Sequence, residues 1–268
     1  MTSAAARRPP VVSHAEPVMG TVVSFSVVPG GQTGTDVSRA ISSACADLHH
    51  ADAVFSTWDP RSPVSRLRRG VLAPEEVPPE VAEVLDLCQA ARAVSGGWFD
   101  PWAATGGVDP TGLVKGWAVE RALAMLRDAG ATAAMVNGGG DIAVFGPPPA
   151  ADHPVATAGG DIGWRIGIRH PWRADALAAI ITGVTAAIAT SGRYERGQHL
   201  FSPQHRPMAA VASATITGPS LAMADALATA LAVGGDAVLG LVAELDGYEG
   251  YLIRADGTEA DTGGVAFG

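Results

Sequence analysis

The chain has 268 residues, a formal net charge of −9 and 47% hydrophobic residues. That is enough for one large globular domain, or two small ones, with a sizeable core, and it excludes a disordered chain. The acidic balance argues against a nucleic-acid partner, though not against a small anion held by a few placed donors.

Met1 to Pro17 is rich in Ala, Pro, Arg and Ser. It has no apolar core of a secretory signal and no cysteine placed for lipid attachment, so residues 1–17 read as a flexible N-terminal segment. The remainder, 18–268, reads as one folded domain. No apolar run is long enough to span a bilayer. Cys45 and Cys88 fall on apolar helical faces, as core thiols of a reducing compartment do, and the expected location is cytoplasmic.

Val18 to Val28 alternates and is β-branched, a strand, followed by a glycine-rich turn to Gly34. From Thr35 to about Ala53 the positions Val37, Ile41, Ala44, Leu48 and Ala51 keep helical spacing, with Asp36 in the N-cap region. Phe55 to Pro60 is a loop, and Ser62 to Leu67 a short helical turn. Pro79 to Val94 is a second helix, with Val81, Val84, Leu85, Cys88 and Ala91 on one face. Residues 98–113 lack either period and carry two Asp-Pro steps, which force extended backbone and mark a shaped loop. Lys115 opens a third helix ending near Asp128.

Thr132 to Val136 is a short strand running into Asn137-Gly138-Gly139-Gly140-Asp141. Ile142 to Phe145 is another, and Pro147 to Gly160 reads as an exposed insertion. Trp164 to Ile168, Ala186 to Thr190, Ala210 to Thr217 and Gly247 to Asp256 complete the strands, with His199 to Pro203 short and extended. Helices and strands alternate without a βαβ rhythm, which favours an α+β fold: mixed or antiparallel sheets flanked by helices, as a single globular unit around a ligand cleft.

Ser220 to Gly235 is an Ala/Leu helix, apolar nearly all round and therefore buried. Asp225 and Thr229 sit four apart on one of its faces. A buried carboxylate is costly unless compensated. A hard cation held by the carboxylate and the hydroxyl would compensate it; water or a buried arginine on that face would also serve.

Several chemistries are excluded by pattern. There is no G-x-G-x-x-G after a strand, no P-loop spacing and no G-x-S-x-G elbow. No His/Cys cluster has zinc-ligand spacing. The remaining candidates have two readings each. Asn137 to Asp141 is a tight turn or an anion-binding nest of N–H groups. Thr190, Ser191 and Gly192 form a polar strand end, or a ligand wall beside Arg193 and Arg196. Lys115, at a helix start where the macrodipole disfavours a cation, is a phosphate or carboxylate contact. Trp58, Trp98 and Phe99 stack on a planar ring or belong to the core. His199 is a proton acceptor or structural.

Taken in order, these pieces resemble the ApbE family, the FAD:protein FMN transferases, from about Met19 to Gly235. The resemblance is carried by Met19-Gly20-Thr21; Ser56-Thr57-Trp58 with Ser65-Arg66-Leu67; Gly97-Trp98-Phe99-Asp100-Pro101; Asp109 to Gly116; Val136 to Ile142; Trp164 to Ile168; Ala189 to Gly192 with Tyr194 and Arg196; His199 to Pro203; and Ala224 to Thr229. It implies an ApbE-like (T-fold-related) enzyme that binds FAD and a divalent metal, usually Mg²⁺. Such an enzyme transfers FMN to a Thr or Ser hydroxyl of an acceptor flavoprotein as a phosphoester and releases AMP. It implies metal ligands at Asp225, Thr229 and the backbone around Gly112. Flavin contacts are implied at Met19, Trp58, Trp98, Phe99, Asp100, Asp109, Lys115 and Phe201, with Asn137, Gly138, Gly139, Thr190, Ser191 and Gly192 lining the cleft. His199 takes the place of the base. The chain departs from the family pattern at Ser202, where an Asp is usual, in the turn Gln204 to Pro207, and in the short stretch between Pro101 and Asp109. The alternatives are a metal-dependent FAD pyrophosphatase and a non-catalytic FAD-binding protein.

Overall fold

In the computed structural model, residues 10–31, 33–149, 163–192 and 207–263 are described. Strands β1 (Val12–Val18) and β2 (Thr21–Val28) form a hairpin closed by Met19 and Gly20, both at positive φ (55° and 70°). Positive φ at both turn positions matches the twist of the flanking strands. The expected N-terminal segment is thus shorter than the sequence implied, because Val12 to Pro17 belong to a strand. This strand is polar and contains Pro17, features an edge tolerates because one side of it makes no ladder bonds.

Helix α1 (Gly34–Phe55) is capped by Thr33, whose side chain accepts from the Asp36 amide while Asp36 reaches back to the Thr33 amide. Asp36 is therefore the third residue of a capping box and not the cap itself. Helices α2 (Pro63–Arg68), α3 (Pro79–Val94) and α4 (Thr111–Asp128) follow. The chain returns as β3 (Ala133–Gly138) and β4 (Asp141–Phe145), then β5 (Trp164–His170), β6 (Arg173–Gly183), β7 (Ala186–Gly192) and β8 (Val211–Gly218). Helices α5 (Leu221–Gly234) and α6 (Asp236–Val242) precede β9 (Glu249–Arg254) and β10 (Glu259–Asp261).

Eight strands form one antiparallel sheet in the order β1-β2-β3-β4-β7-β8-β9-β10, and β5 and β6 pair as a separate hairpin. The central strands are buried on both faces, and the period-2 alternation sorts their side chains. Ala143, Phe145, Ala187, Ala189, Ile216 and Leu252 face the helices α1, α4 and α5. Ile142, Val144, Ile188, Tyr251 and Ile253 face the β5–β6 hairpin, meeting Trp164, Ile166, Ile168, Ala179 and Ile181. Helices, sheet and hairpin make one α+β unit, as expected.

Helix α4 lies between α1 and α5. Arg121 on α4 pairs with Asp47 on α1 through two hydrogen bonds of 3.1 and 2.8 Å. Glu120 accepts from the Ser220 hydroxyl and from the amides of Leu221 and Ala222, so a carboxylate from α4 caps α5 and complements its positive end. Among the described residues no helix is long and apolar enough to cross a membrane.

Candidate functional site

A cleft of about 1450 Å³ opens where the C-terminus of α1, the N-terminus of α4, the ends of β3, β4 and β7 and the β5 strand meet. Small-molecule pockets commonly hold about 300–1,000 Å³, so the cleft has room for a large ligand.

One wall is the corner after α3. The Ser95 hydroxyl accepts from the Phe99 amide, and Asp100 accepts from the Trp102 amide and from Arg92 Nε at 2.9 Å. These bonds hold Trp98, Phe99 and Asp100 along the cleft. Arg68 closes the segment beyond: it donates to the carbonyls of Val108 and Thr105 and pairs with Asp109 at 3.3 Å. Asp109 in turn accepts from the amide and hydroxyl of Thr111, placing a carboxylate on the first turn of α4. Trp58, 84% exposed, stands at the mouth.

A second wall is made by two hairpin turns. Met19 holds its left-handed conformation while its amide donates to Asp52 on α1 at 3.3 Å. Gly139 of the β3–β4 turn lies so close to Thr21 that a Cβ there would sit 2.4 Å from the Thr21 hydroxyl oxygen. Only glycine allows the two turns to touch at this φ of 67°. The Asn137 side chain accepts from the Gly140 amide at 2.9 Å. Of the two readings of this loop, the tight turn is therefore its backbone geometry, and it also lines the cleft.

The floor is the crossing of α4 and α5. The Gly116 amide donates to Asp225 Oδ2 at 3.1 Å. A Cβ on Gly116 would lie 2.4 Å from the Leu221 carbonyl oxygen and 2.9 Å from Asp225 Cβ, so glycine sets the helix separation. Thr229, one turn beyond Asp225, lines the cleft; a Cβ on Gly112 would fall 3.3 Å from its hydroxyl oxygen. The Ser191 and Thr229 hydroxyls are 3.5 Å apart. Asp225 is buried behind this surface and not on it.

The side-chain donors here are oxygens, a buried carboxylate and a hydroxyl, and the resemblance adds the Gly112 carbonyl. A regular helix would offer that carbonyl to the same Gly116 amide that Asp225 engages. Hard divalent cations take such ligands, so the residues present fit Mg²⁺. Beside them, burial and the nearby Asp109 and Asp225 carboxylates push the Cys88 thiol up to about 12.

Lys115 differs from its expected setting. Helix α4 begins at Thr111, so Lys115 lies one turn inside it, and its ammonium forms a close ion pair with Asp141 at the start of β4. Both side chains are buried, and Lys115 still borders the cleft. Each expected ligand contact within the described residues lines this one cleft, apart from Asp225 beneath it. His199 and Phe201 lie outside the described residues, as do Arg193, Tyr194, Arg196 and Ser202. Sequence reasoning missed Asp52 and Arg68, and it named Trp164 to Ile168 and Asp141 without placing β5 on the cleft or pairing Asp141 with Lys115. No local pattern marks Asp52 or Arg68, because each acts through a partner distant in the chain.

The ApbE family model matches residues 19–107 and 103–252, most of the chain, and the chain belongs to the ApbE family. A FAD:protein FMN transferase from Rhodobacter capsulatus is 34% identical over 138 residues, a match spanning 48% of this chain and 24% of that protein. Among solved structures, the flavin transferase ApbE from Vibrio cholerae superposes with a TM-score of 0.74 at 21% identity, over 94% of this chain and 97% of that one. The ApbE protein from Thermotoga maritima gives 0.76 at 22%, over 94% and 96%. The flavinyl transferase ApbE from Pseudomonas stutzeri, in its apo form, gives 0.75 at 21%, over 96% of each.

Proposed function

We propose that the chain is a cytoplasmic FAD:protein FMN transferase, using Mg²⁺ and a Thr or Ser hydroxyl of an acceptor flavoprotein. The observation that carries this reading is the convergence of the aromatic corner, the N-terminus of α4 and Thr229 on one cleft larger than a typical small-molecule pocket, with Asp225 buried beneath it. Trp98 and Phe99 offer apolar faces to an isoalloxazine ring. Thr111 and Gly112, on the first turn of α4, present the positive end of a helix to a pyrophosphate. Asp225, Thr229 and the Gly112 carbonyl would hold the cation, which supplies charge neutralisation for the pyrophosphate and its leaving group.

In the proposed reaction the acceptor hydroxyl attacks the phosphorus on the FMN side. A phosphoester forms, the bridging P–O bond breaks, and AMP leaves with the electron pair. The family resemblance gives His199 the hydroxyl's proton. Holding donor and acceptor in line within the cleft would remove much of the entropic barrier.

The test is to incubate the protein with FAD, Mg²⁺ and a flavoprotein domain presenting a Thr or Ser acceptor. We expect the acceptor to gain the mass of one FMN moiety as AMP appears. Asp225→Ala should lower the rate by roughly 100-fold or more while far-UV circular dichroism stays unchanged. Free FMN and AMP formed without acceptor would instead assign a pyrophosphatase. Bound FAD with no turnover would leave a flavin-binding protein.

A further inference from the structure

Away from the cleft, β1 and α1 bring together four side chains of a different chemistry. His14 and Glu16, two apart on β1, share a face. Cys45 and His49, four apart on α1, share another. The His14 Nε2 atom lies 3.0 Å from Glu16 Oε2, and His49 Nε2 lies 2.8 Å from Glu16 Oε1. Ligand atoms of His14, Glu16 and Cys45 all fall within 4.8 Å of one another. Donors held about 2.0–2.3 Å from a tetrahedral zinc ion are separated by roughly 3.3–3.8 Å, so side-chain rotations that draw these atoms together close the set. His14 and His49 are half-exposed, which gives an ion a way in, while Cys45 forms the buried inner side. Sequence spacing alone excluded zinc because the ligands come as two separate pairs that only the fold joins.

We propose that His14, Glu16 and Cys45 bind one zinc ion that staples the edge strand β1 to α1, with His49, which reaches Glu16 from outside that cluster, turning in as the fourth ligand. A thiolate, a carboxylate and two neutral imidazoles balance a doubly charged ion and complete a tetrahedral set. Thiolate and imidazole select zinc over the hard cations suited to Asp225 and Thr229. On binding, the Cys45 thiol releases its proton to solvent and forms the S–Zn bond. In the metal-free chain, burial and the adjacent Glu16 push that thiol up to about 11, while hydrogen bonds from His49 and His14 hold the Glu16 carboxyl below its usual range. The cation's charge replaces the proton. The staple lies next to the Met19–Asp52 contact and so stiffens one corner of the cleft from outside.

The test uses the full chain, stripped with chelator and titrated with Co²⁺ and then Zn²⁺. We expect one thiolate-bound Co²⁺ per chain, marked by a thiolate-to-cobalt charge-transfer band and displaced by Zn²⁺. The band should vanish in Cys45→Ser and persist in Cys88→Ser and Asp225→Ala. His14→Ala and His49→Ala should each weaken binding at least tenfold. Zn²⁺ should raise the Tm of the native chain and not that of the His14→Ala/His49→Ala double variant. Both histidines are exposed, so these variants keep the test decisive if Cys45→Ser fails to fold. Absence of the band, its survival in Cys45→Ser, or an equal Tm response in the double variant would overturn the site and leave only a hydrogen-bonded His–Glu–His cluster.

Discussion

Lys115 and Asp141 form an ion pair closed off from water beside the cleft. The Asp141 Oδ1 atom has no hydrogen-bond partner among the described residues, so Lys115 is the main compensation for a buried carboxylate. Lys115→Met should cost about 3–5 kcal/mol, because it leaves Asp141 buried and uncompensated. Lys115→Met/Asp141→Leu should recover most of that loss, since well-packed apolar pairs often replace buried ion pairs at little cost. Urea unfolding of both variants checks this; equal stability of the single variant and the native chain would remove the pair from the stability account. The pairing was not legible in the sequence. The Asp109-Pro110 step hid the true start of α4, and the ion pair joins a helix to a distant strand. Asp225 and Thr229 were legible, because a carboxylate inside an Ala/Leu helix is anomalous without reference to any other element.

At the scale of elements, the crossing of α4 and α5 rests on Gly116. Alanine is the better helix former by about 1 kcal/mol. Its methyl would nevertheless meet the Leu221 carbonyl, a backbone atom that cannot rotate aside. Overpacking of this kind costs about 1–3 kcal/mol, so the steric term should win. We expect Gly116→Ala to lower the urea midpoint and, by displacing Asp225, to reduce the proposed transferase activity; an unchanged midpoint would mean that the helices separate freely. The long helices α1 and α3 could be read from their 3.6-residue apolar spacing, and α5 from its Ala/Leu composition and flanking Ser220 and Gly235. Strand β1 could not, because an edge strand carries polar residues on most positions. Strand β6 escaped because Arg173 to Gly183 is Ala-rich and lacks alternation, its strand state being imposed by pairing with β5. Helix α6 was hidden by its brevity and by Gly240 within it.

For the whole molecule, stability depends on groups that the core keeps protonated. Burial raises the Cys88 thiol from 9.0 to about 12, and burial also raises Tyr248 and Tyr251. The unfolded chain releases these protons first. The stability they contribute is therefore fully present below about pH 9 and is lost as pH rises through the folded values. Guanidinium melts should show stability falling from pH 9 toward pH 11, with a shallower slope in Cys88→Ala; an equal slope would take Cys88 out of the linkage. At this scale the sequence disclosed the α+β class and the residues of the cleft. It did not disclose strand order, which long-range pairing decides.

That order has a kinetic consequence. Val28 and Thr132, bonded where β2 meets β3, are 104 residues apart in the chain. The β1–β2 hairpin therefore emerges early during synthesis with one edge uncovered, and gains its neighbour only after three long helices have been made. Closing so long a loop before the ladder forms slows folding, as in other topologies dominated by distant contacts. The cleft also takes its floor from α5, so its lining is complete only after the chain has been made through Gly234.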